Sequence, residues 1–240
     1  MIKPAFISII IPGFNEEKRI QQTLHTLYVF CSYQFFHFEI LFIDDGSTDQ
    51  TKYIVTKLSS KIKQIQYLGY PQNKGKGFAI RFGLTHAKGD FIFFTDADLP
   101  YNPVFIANAI ELFDQSGCDF ISGSRHLKQS REDTRNSLKR IWASRIFSHL
   151  VHKLFGIEVT DTQCGIKGFR KACAQKIVER SQINGYAFDV EIFILARLFK
   201  WHVKFLPVVL VNNQLSKIRL GFDSFWILRD LYKIHCRLRV

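Results

Sequence analysis

FEILFIDDGSTDQT, residues 38–51, runs through six mostly β-branched, aromatic or aliphatic residues, then an acidic turn with a glycine and a serine, then the start of a segment with helical spacing. An apolar run without strict alternation fits a strand covered on both faces, as in parallel sheets sandwiched between helices. The same order recurs on either side of it. AFISIII (5–11), QIQYL (64–68) and DFIFFT (90–95) read as further strands, and residues 16–30, 48–60 and 76–87 carry apolar side chains at helical intervals. Strand and helix in alternation predict right-handed crossovers and an α/β fold with a mostly parallel central sheet flanked by helices.

That topology says where to look for chemistry, because ligands of open α/β sheets sit beyond the carboxyl ends of the strands. The residues just past the four strand candidates are PGFNE (12–16), DDGSTD (44–49), NKGKG (73–77) and DADLP (96–100). Asp96 and Asp98 stand on alternate positions at a strand end. Such a pair suits a hard divalent cation that takes few protein ligands and completes its shell with phosphate oxygens and water; an isolated acidic turn is the plainer alternative. Asp44 and Asp45 can accept hydrogen bonds from a nucleobase N–H or from ribose hydroxyls, or begin a tight turn into a helix. NKGKG lacks P-loop spacing, yet Lys74 and Lys76 can neutralise a diphosphate or stand in a solvated loop.

The second half continues with strand candidates at CDFISGS (118–124) and HVKFLPVVLV (202–211), a turn region at TDTQCGIKGFRK (160–171), and helix candidates at 138–155, 186–199 and 222–239. Its charge differs sharply from that of the first half: residues 1–120 carry −1 and residues 121–240 carry +13. A basic face of this kind meets something anionic, whether nucleic acid, phospholipid headgroups or a phosphorylated substrate. Segments 138–155 and 222–239 place Lys and Arg beside Trp, Leu and Ile, as helices in a headgroup plane do, although core-facing helices with solvated backs read the same way. No run of about 20 apolar residues long enough to span a bilayer occurs. Five scattered cysteines without a CxxC pair argue against a disulfide framework or a zinc site and for a reducing cytosol.

In concert, SIIIPGFNEE, ILFIDDGSTDQT, NKGKGFAIRFGL, GDFIFFTDADL and ISGSR resemble the family 2 glycosyltransferases, whose fold is the GT-A type. TDTQCGIKGFRK and GYAFDVEI are similar to the branch that makes polyprenyl-phosphate sugars, with dolichyl-phosphate β-glucosyltransferases foremost and dolichyl-phosphate mannose synthases nearby. The resemblance spans about residues 5–215. It implies a glycosyltransferase domain over residues 1–215 and a basic amphipathic helix over 216–240 at a membrane surface. It also implies that Pro12, Phe14, Glu16, Asp44, Asp45, Lys76 and Asp96 bind a nucleotide-sugar donor, and that Asp96 and Asp98 hold Mg²⁺ or Mn²⁺. Asp98 and Arg125 would serve catalysis, and Arg125, Arg135, Arg140, Asp161 and Gln163 would receive the acceptor phosphate. Phe14 replaces the family's usual Tyr, and Pro100 stands where the mannose synthases often supply Gln, so UDP-glucose is the favoured donor over GDP-mannose.

The expected reaction is inverting transfer of a hexose to a polyprenyl phosphate, on the cytosolic face of a membrane, with a separate anchoring protein as a possible partner. A phosphate monoester acceptor is already largely anionic at neutral pH and needs no general base. Transfer to a glycan hydroxyl would call for one, and Asp161, Asp189 and Glu191 are the candidates. A nucleic-acid-binding module is the rival from another class; the basic residues are not interleaved with aromatics in an RNA-binding pattern, and nucleic acid is not an expected partner.

Overall fold

The computed structural model describes residues 5–130, 151–157, 161–211 and 222–238. Among these, seven strands form one sheet: β1 (Phe6–Gly13), β2 (His37–Asp44), β3 (Ile65–Gly69), β4 (Phe91–Thr95), β5 (Phe120–Ser124), β6 (Ile166–Arg170) and β7 (Val203–Pro207). Their order across the sheet is β3-β2-β1-β4-β6-β5-β7. The first four are parallel, β5 and β7 are parallel to each other, and β6 runs antiparallel to both β4 and β5. The reversal at β6 makes β5 and β7 point the same way as β4, so their carboxyl ends share its rim. The mostly parallel α/β architecture expected from the alternation is therefore present.

The helices are α1 (Ile20–Gln34), α2 (Thr51–Ser59), α3 (Lys76–His86), α4 (Val104–Ser116), α5 (Lys171–Arg180), α6 (Phe188–Leu198) and α7 (Phe222–Leu238), with residues 151–155 also helical. Both faces of the sheet are covered. Ile7, Ile9 and Ile11 pack with buried residues of α1, α2 and α4, while Ile10 packs with those of α3, α5 and α6. Each such buried isoleucine contributes about 1.5–3 kcal/mol, which is why these strands read as continuous apolar runs. The polar exceptions inside the runs are paired: Ser8 Oγ donates to Glu39 Oε1 (2.6 Å), and Lys88 N–H donates to the same carboxylate oxygen (2.8 Å).

Three local expectations are corrected. The first helix begins at Ile20 rather than residue 16, because Asn15 to Arg19 form a turn tied to the next crossover, with Asn15 at φ +54° and the Glu16 N–H donating to Thr51 Oγ1 (2.8 Å). The turn region at 160–171 contains β6, and α5 follows it directly. Lys167 and Gly168 interrupt the apolar pattern, but Lys167 is fully buried with its charge paired, and Phe93 packs over Gly168. The strand expected over 202–211 ends at Pro207, which has no N–H for the ladder; beyond it Leu210 bridges to Tyr101, and the Asn102 N–H donates to the Val209 carbonyl (3.0 Å). Of the amphipathic segment at 138–155, residues 138–150 lie outside the described residues. In α7, Leu231 and Ile234 are fully buried in the core shared with α3 and α6.

Candidate active site

Turns from separate crossovers hold one another at the carboxyl rim. Asn15 N–H donates to Ser47 Oγ (2.9 Å), and Asn15 Oδ1 accepts from Thr48 N–H (2.9 Å), joining PGFNE to DDGSTD. Pro12 is a buried β1 residue in register with Ile43, whereas Phe14 projects at 39% exposure. Glu16 is buried and receives Arg19 Nε at 2.8 Å.

The two carboxylates of DDGS divide their roles. Asp44 accepts from Ser47 N–H and Tyr67 Oη (both 2.8 Å) and lines a cleft of about 260 Å³ with Gly46, Ser47, Lys52, Tyr67, Gly69, Tyr70 and Pro71. Asp45 is not among those lining residues. Its Oδ1 accepts from Tyr70 Oη (2.8 Å) and Lys74 N–H (2.7 Å), and its Oδ2 from Gly75 N–H (2.9 Å). Asp45 thus holds the NKGKG loop against the start of α3, where Gly75 sits at φ +97°, a conformation suited to glycine. Burial, with the charge of the facing aspartate, pushes both tyrosine hydroxyls up, so each stays a donor.

That loop carries Lys76 to the DAD turn. Lys76 Nζ lies 2.7 Å from Asp96 Oδ1 and 3.7 Å from Asp189 Oδ2. Burial alone would lower its pKa, but Asp96 and Asp189 outweigh burial and raise it. Asp189 is itself held by Lys167, whose Nζ reaches Asp189 Oδ1 at 2.6 Å and the Cys164 carbonyl at 2.7 Å. Asp98 lies 4.0 Å from Arg19 Nη1; burial first, then the charge of Asp96, raises its carboxyl above the ordinary aspartate value. Two crowded carboxylates, one already drawing an ammonium, offer the hard oxygen donors a divalent cation takes. Among the described residues no group of three or more His, Cys, Asp or Glu could hold a metal by itself, so the pair fits an ion that fills its shell with phosphate and water.

Gly165 sets the position of Asp96. A Cβ on this residue would overlap Asp96 Oδ2. Since a carboxylate can turn aside more readily than backbone can move, Gly165→Ala is expected to keep the melting temperature of the wild type while lowering turnover by about 10²-fold, the penalty of displacing a positioned group by an ångström. Equal turnover in a folded Gly165→Ala protein would show that Asp96 need not stand where it does.

Arg125 follows β5 on the same rim, two strands from β4 and hence about 10 Å across the sheet. Its Nε and Nη2 donate to Asp161 Oδ2 and Oδ1 at 2.9 and 2.7 Å, and its backbone N–H adds a third bond to Oδ2 at 2.8 Å. Burial would raise the Asp161 carboxyl, but the Arg125 hydrogen bonds and charge hold it below the usual aspartate value. Gln163 is half-buried and its Nε2 is buried without a hydrogen-bond partner among the described residues. Arg135 and Arg140 lie outside the described residues. Glu191 accepts Gln182 N–H (3.0 Å) and Ile183 N–H (3.1 Å) and pairs with Arg237. Each of the three carboxylates named as candidate bases is therefore committed to structural partners.

The residues that sequence reasoning missed are Arg19, Tyr67, Tyr70, Gly165 and Lys167. Lys167 left a readable signal, a lysine between Ile166 and the Gly168–Phe169 pair with Asp189 in a later apolar run; the others depend on contacts between distant turns.

Comparison with known proteins bears on the family and the fold. Residues 8–178 match the family described as Glycosyl transferase family 2. The dolichyl-phosphate beta-glucosyltransferase of Saccharomyces cerevisiae is 32% identical over 244 residues, covering 94% of this chain and 73% of its own length. The Drosophila melanogaster protein of the same name is 30% identical, covering 98% and 76%. Among solved structures, glucosyl-3-phosphoglycerate synthase from Mycobacterium tuberculosis in complex with Mn²⁺, UDP and glucosyl-3-phosphoglycerate aligns with a TM-score of 0.72 at 16% identity, covering 96% of this chain and 80% of that one. At that identity the likeness is one of fold.

Proposed function

The chain belongs to glycosyl transferase family 2, and on that premise we propose that it transfers glucose from UDP-glucose to dolichyl phosphate, with inversion at the anomeric carbon, at the cytosolic face of a membrane. The observation that carries this reading is the commitment of the buried carboxylates Asp161, Asp189 and Glu191 to structural partners. A hydroxyl acceptor requires a base to take its proton; a phosphate monoester brings its own negative charge and requires orientation alone. The relatives' names, at 32% and 30% identity over almost the whole chain, support glucose and dolichyl phosphate.

Each group then has a task. Asp44 and the cleft around it receive the nucleotide base, with Phe14 and Glu16 at the neighbouring turn. Asp96 and Asp98 would hold a divalent cation, Mg²⁺ or Mn²⁺, which as a Lewis acid would neutralise the charge developing on the departing diphosphate. Lys76 faces the same diphosphate. Arg125, kept in orientation by the bidentate Asp161 contact, meets the acceptor phosphate from across the rim. Gln163 contributes a buried amide donor, and Arg135 and Arg140, outside the described residues, are further cations for the acceptor phosphate.

A lipid acceptor requires the rim to work at a membrane. No helix among the described residues is long and apolar enough to cross one. On α7, Leu228 and Tyr232 stand exposed four residues apart beside Arg229 and Lys233, while Leu231 and Ile234 face the core. An apolar stripe flanked by cations suits an anionic headgroup layer, and an anchoring partner protein would reinforce it.

The reading is tested by incubating the purified full-length chain with labelled UDP-glucose or GDP-mannose, a short dolichyl phosphate and Mn²⁺ or Mg²⁺. The expected product is a lipid-extractable labelled glucose that forms only with metal. Label found solely in protein or polysaccharide would overturn the acceptor, and a preference for GDP-mannose would overturn the donor.

A further inference from the structure

We infer that Lys76 is a built-in counter-cation for Asp96, which an incoming divalent ion must displace, so that metal and donor diphosphate bind as a coupled pair rather than independently. This rests on the reading of Asp96 and Asp98 as the carboxylates that hold the cation.

The ammonium of Lys76 stands 2.7 Å from Asp96 Oδ1, with Asp189 Oδ2 behind it at 3.7 Å. Asp189 cannot follow it outward, because its other oxygen is fixed by the fully buried Lys167 at 2.6 Å. Lys76 is therefore bracketed by one carboxylate on the rim and one in the interior, and its side chain is only 18% exposed. A divalent ion on Asp96 would face that ammonium at close range, where like charges repel strongly in a partly buried site. A diphosphate relieves the conflict by giving the ammonium a new anionic partner, and Asp189 keeps it nearby. Without ligand, the same ammonium offsets the crowding of Asp96 and Asp98. Coupling of this kind is reciprocal: if the diphosphate tightens the metal, the metal tightens the diphosphate by the same factor.

The test is Mn²⁺ binding to the full chain, followed by the electron paramagnetic resonance signal of free Mn²⁺, with and without UDP. For the wild type, UDP is expected to tighten Mn²⁺ about tenfold or more. Lys76→Met is expected to tighten nucleotide-free Mn²⁺ by about tenfold and to shrink the effect of UDP. Lys76→Gln, which keeps a polar end, is expected to move in the same direction. An ammonium that merely stabilises the fold would shift the melting temperature and leave Mn²⁺ affinity alone. Unchanged or weaker nucleotide-free Mn²⁺ binding in a folded variant overturns the inference, and so does a wild type whose Mn²⁺ affinity ignores UDP. Asp98→Asn separates the two levels of argument: if it binds Mn²⁺ as the wild type does, the metal assignment itself has failed.

Discussion

Asp98→Asn is expected to reduce glucose transfer by about 10³-fold or more while leaving the melting temperature unchanged or slightly higher. The loss in rate follows from removing one of two carboxylates that would hold the cation on the leaving diphosphate, where several kcal/mol of charge stabilisation translate into about three powers of ten. The stability half of the prediction comes from the environment of the group. Burial and the neighbouring Asp96 raise the Asp98 carboxyl above its ordinary value, and an acid whose pKa is raised on folding is one whose charged form the fold disfavours. Replacing that charge with a neutral amide of the same shape relieves the conflict. Sites that crowd like charges for chemistry trade stability for function. Thermal melts and transfer assays on the same preparation check both halves; a folded Asp98→Asn protein with wild-type turnover would remove the metal assignment, and a large drop in melting temperature would show that Asp98 serves the fold.

Lys167→Met is expected to destabilise the protein by about 3–5 kcal/mol, the cost of breaking a buried ion pair by removing one member. Lys167 is fully buried in β6, and Asp189, at 2% exposure, would be left with Lys76 at 3.7 Å as its remaining cation. The aliphatic stem of methionine fills the space between Phe94 and Phe193, over whose rings the ammonium lies at 5.5 and 5.8 Å, so the loss is electrostatic rather than a cavity. Replacing Asp189 by leucine in the same chain is expected to recover part of the stability, because the uncompensated charge disappears with it. Urea unfolding at constant m-value measures both effects. A loss below about 1 kcal/mol for Lys167→Met would mean that water or rearrangement satisfies Asp189 in its absence.

Much of this molecule is written locally. Runs such as AFISIII and FEILFI have the length and the β-branched and aromatic content of strands buried on both faces, and Asp, Asn and Gly clusters directly after them mark the carboxyl rim whatever the detailed packing. Those features yield the parallel α/β sheet, the DAD turn and the positions of Asp44, Lys76 and Arg125. β6 was illegible for a physical reason: a strand containing lysine and glycine is stable in a core only when a partner from α6 neutralises the one and a ring from β4 covers the other. The division of labour between Asp44 and Asp45 was illegible for a similar reason, since identical neighbours in sequence face opposite ways across a strand end, and which of them meets a cleft depends on where Tyr67, Tyr70 and the NKGKG loop arrive.

Periodicity and composition thus determined the fold class, the rim and the residue types gathered there, because burial of apolar faces and the chemistry of turns act over a few residues. Which carboxylates remain available to a ligand was decided only by tertiary structure. Asp161, Asp189 and Glu191 are spent on Arg125, Lys167 and the turn before α6, partners 36, 22 and 8 to 9 residues away in the chain, and a charge brought out of water must find its counterpart wherever the fold delivers it.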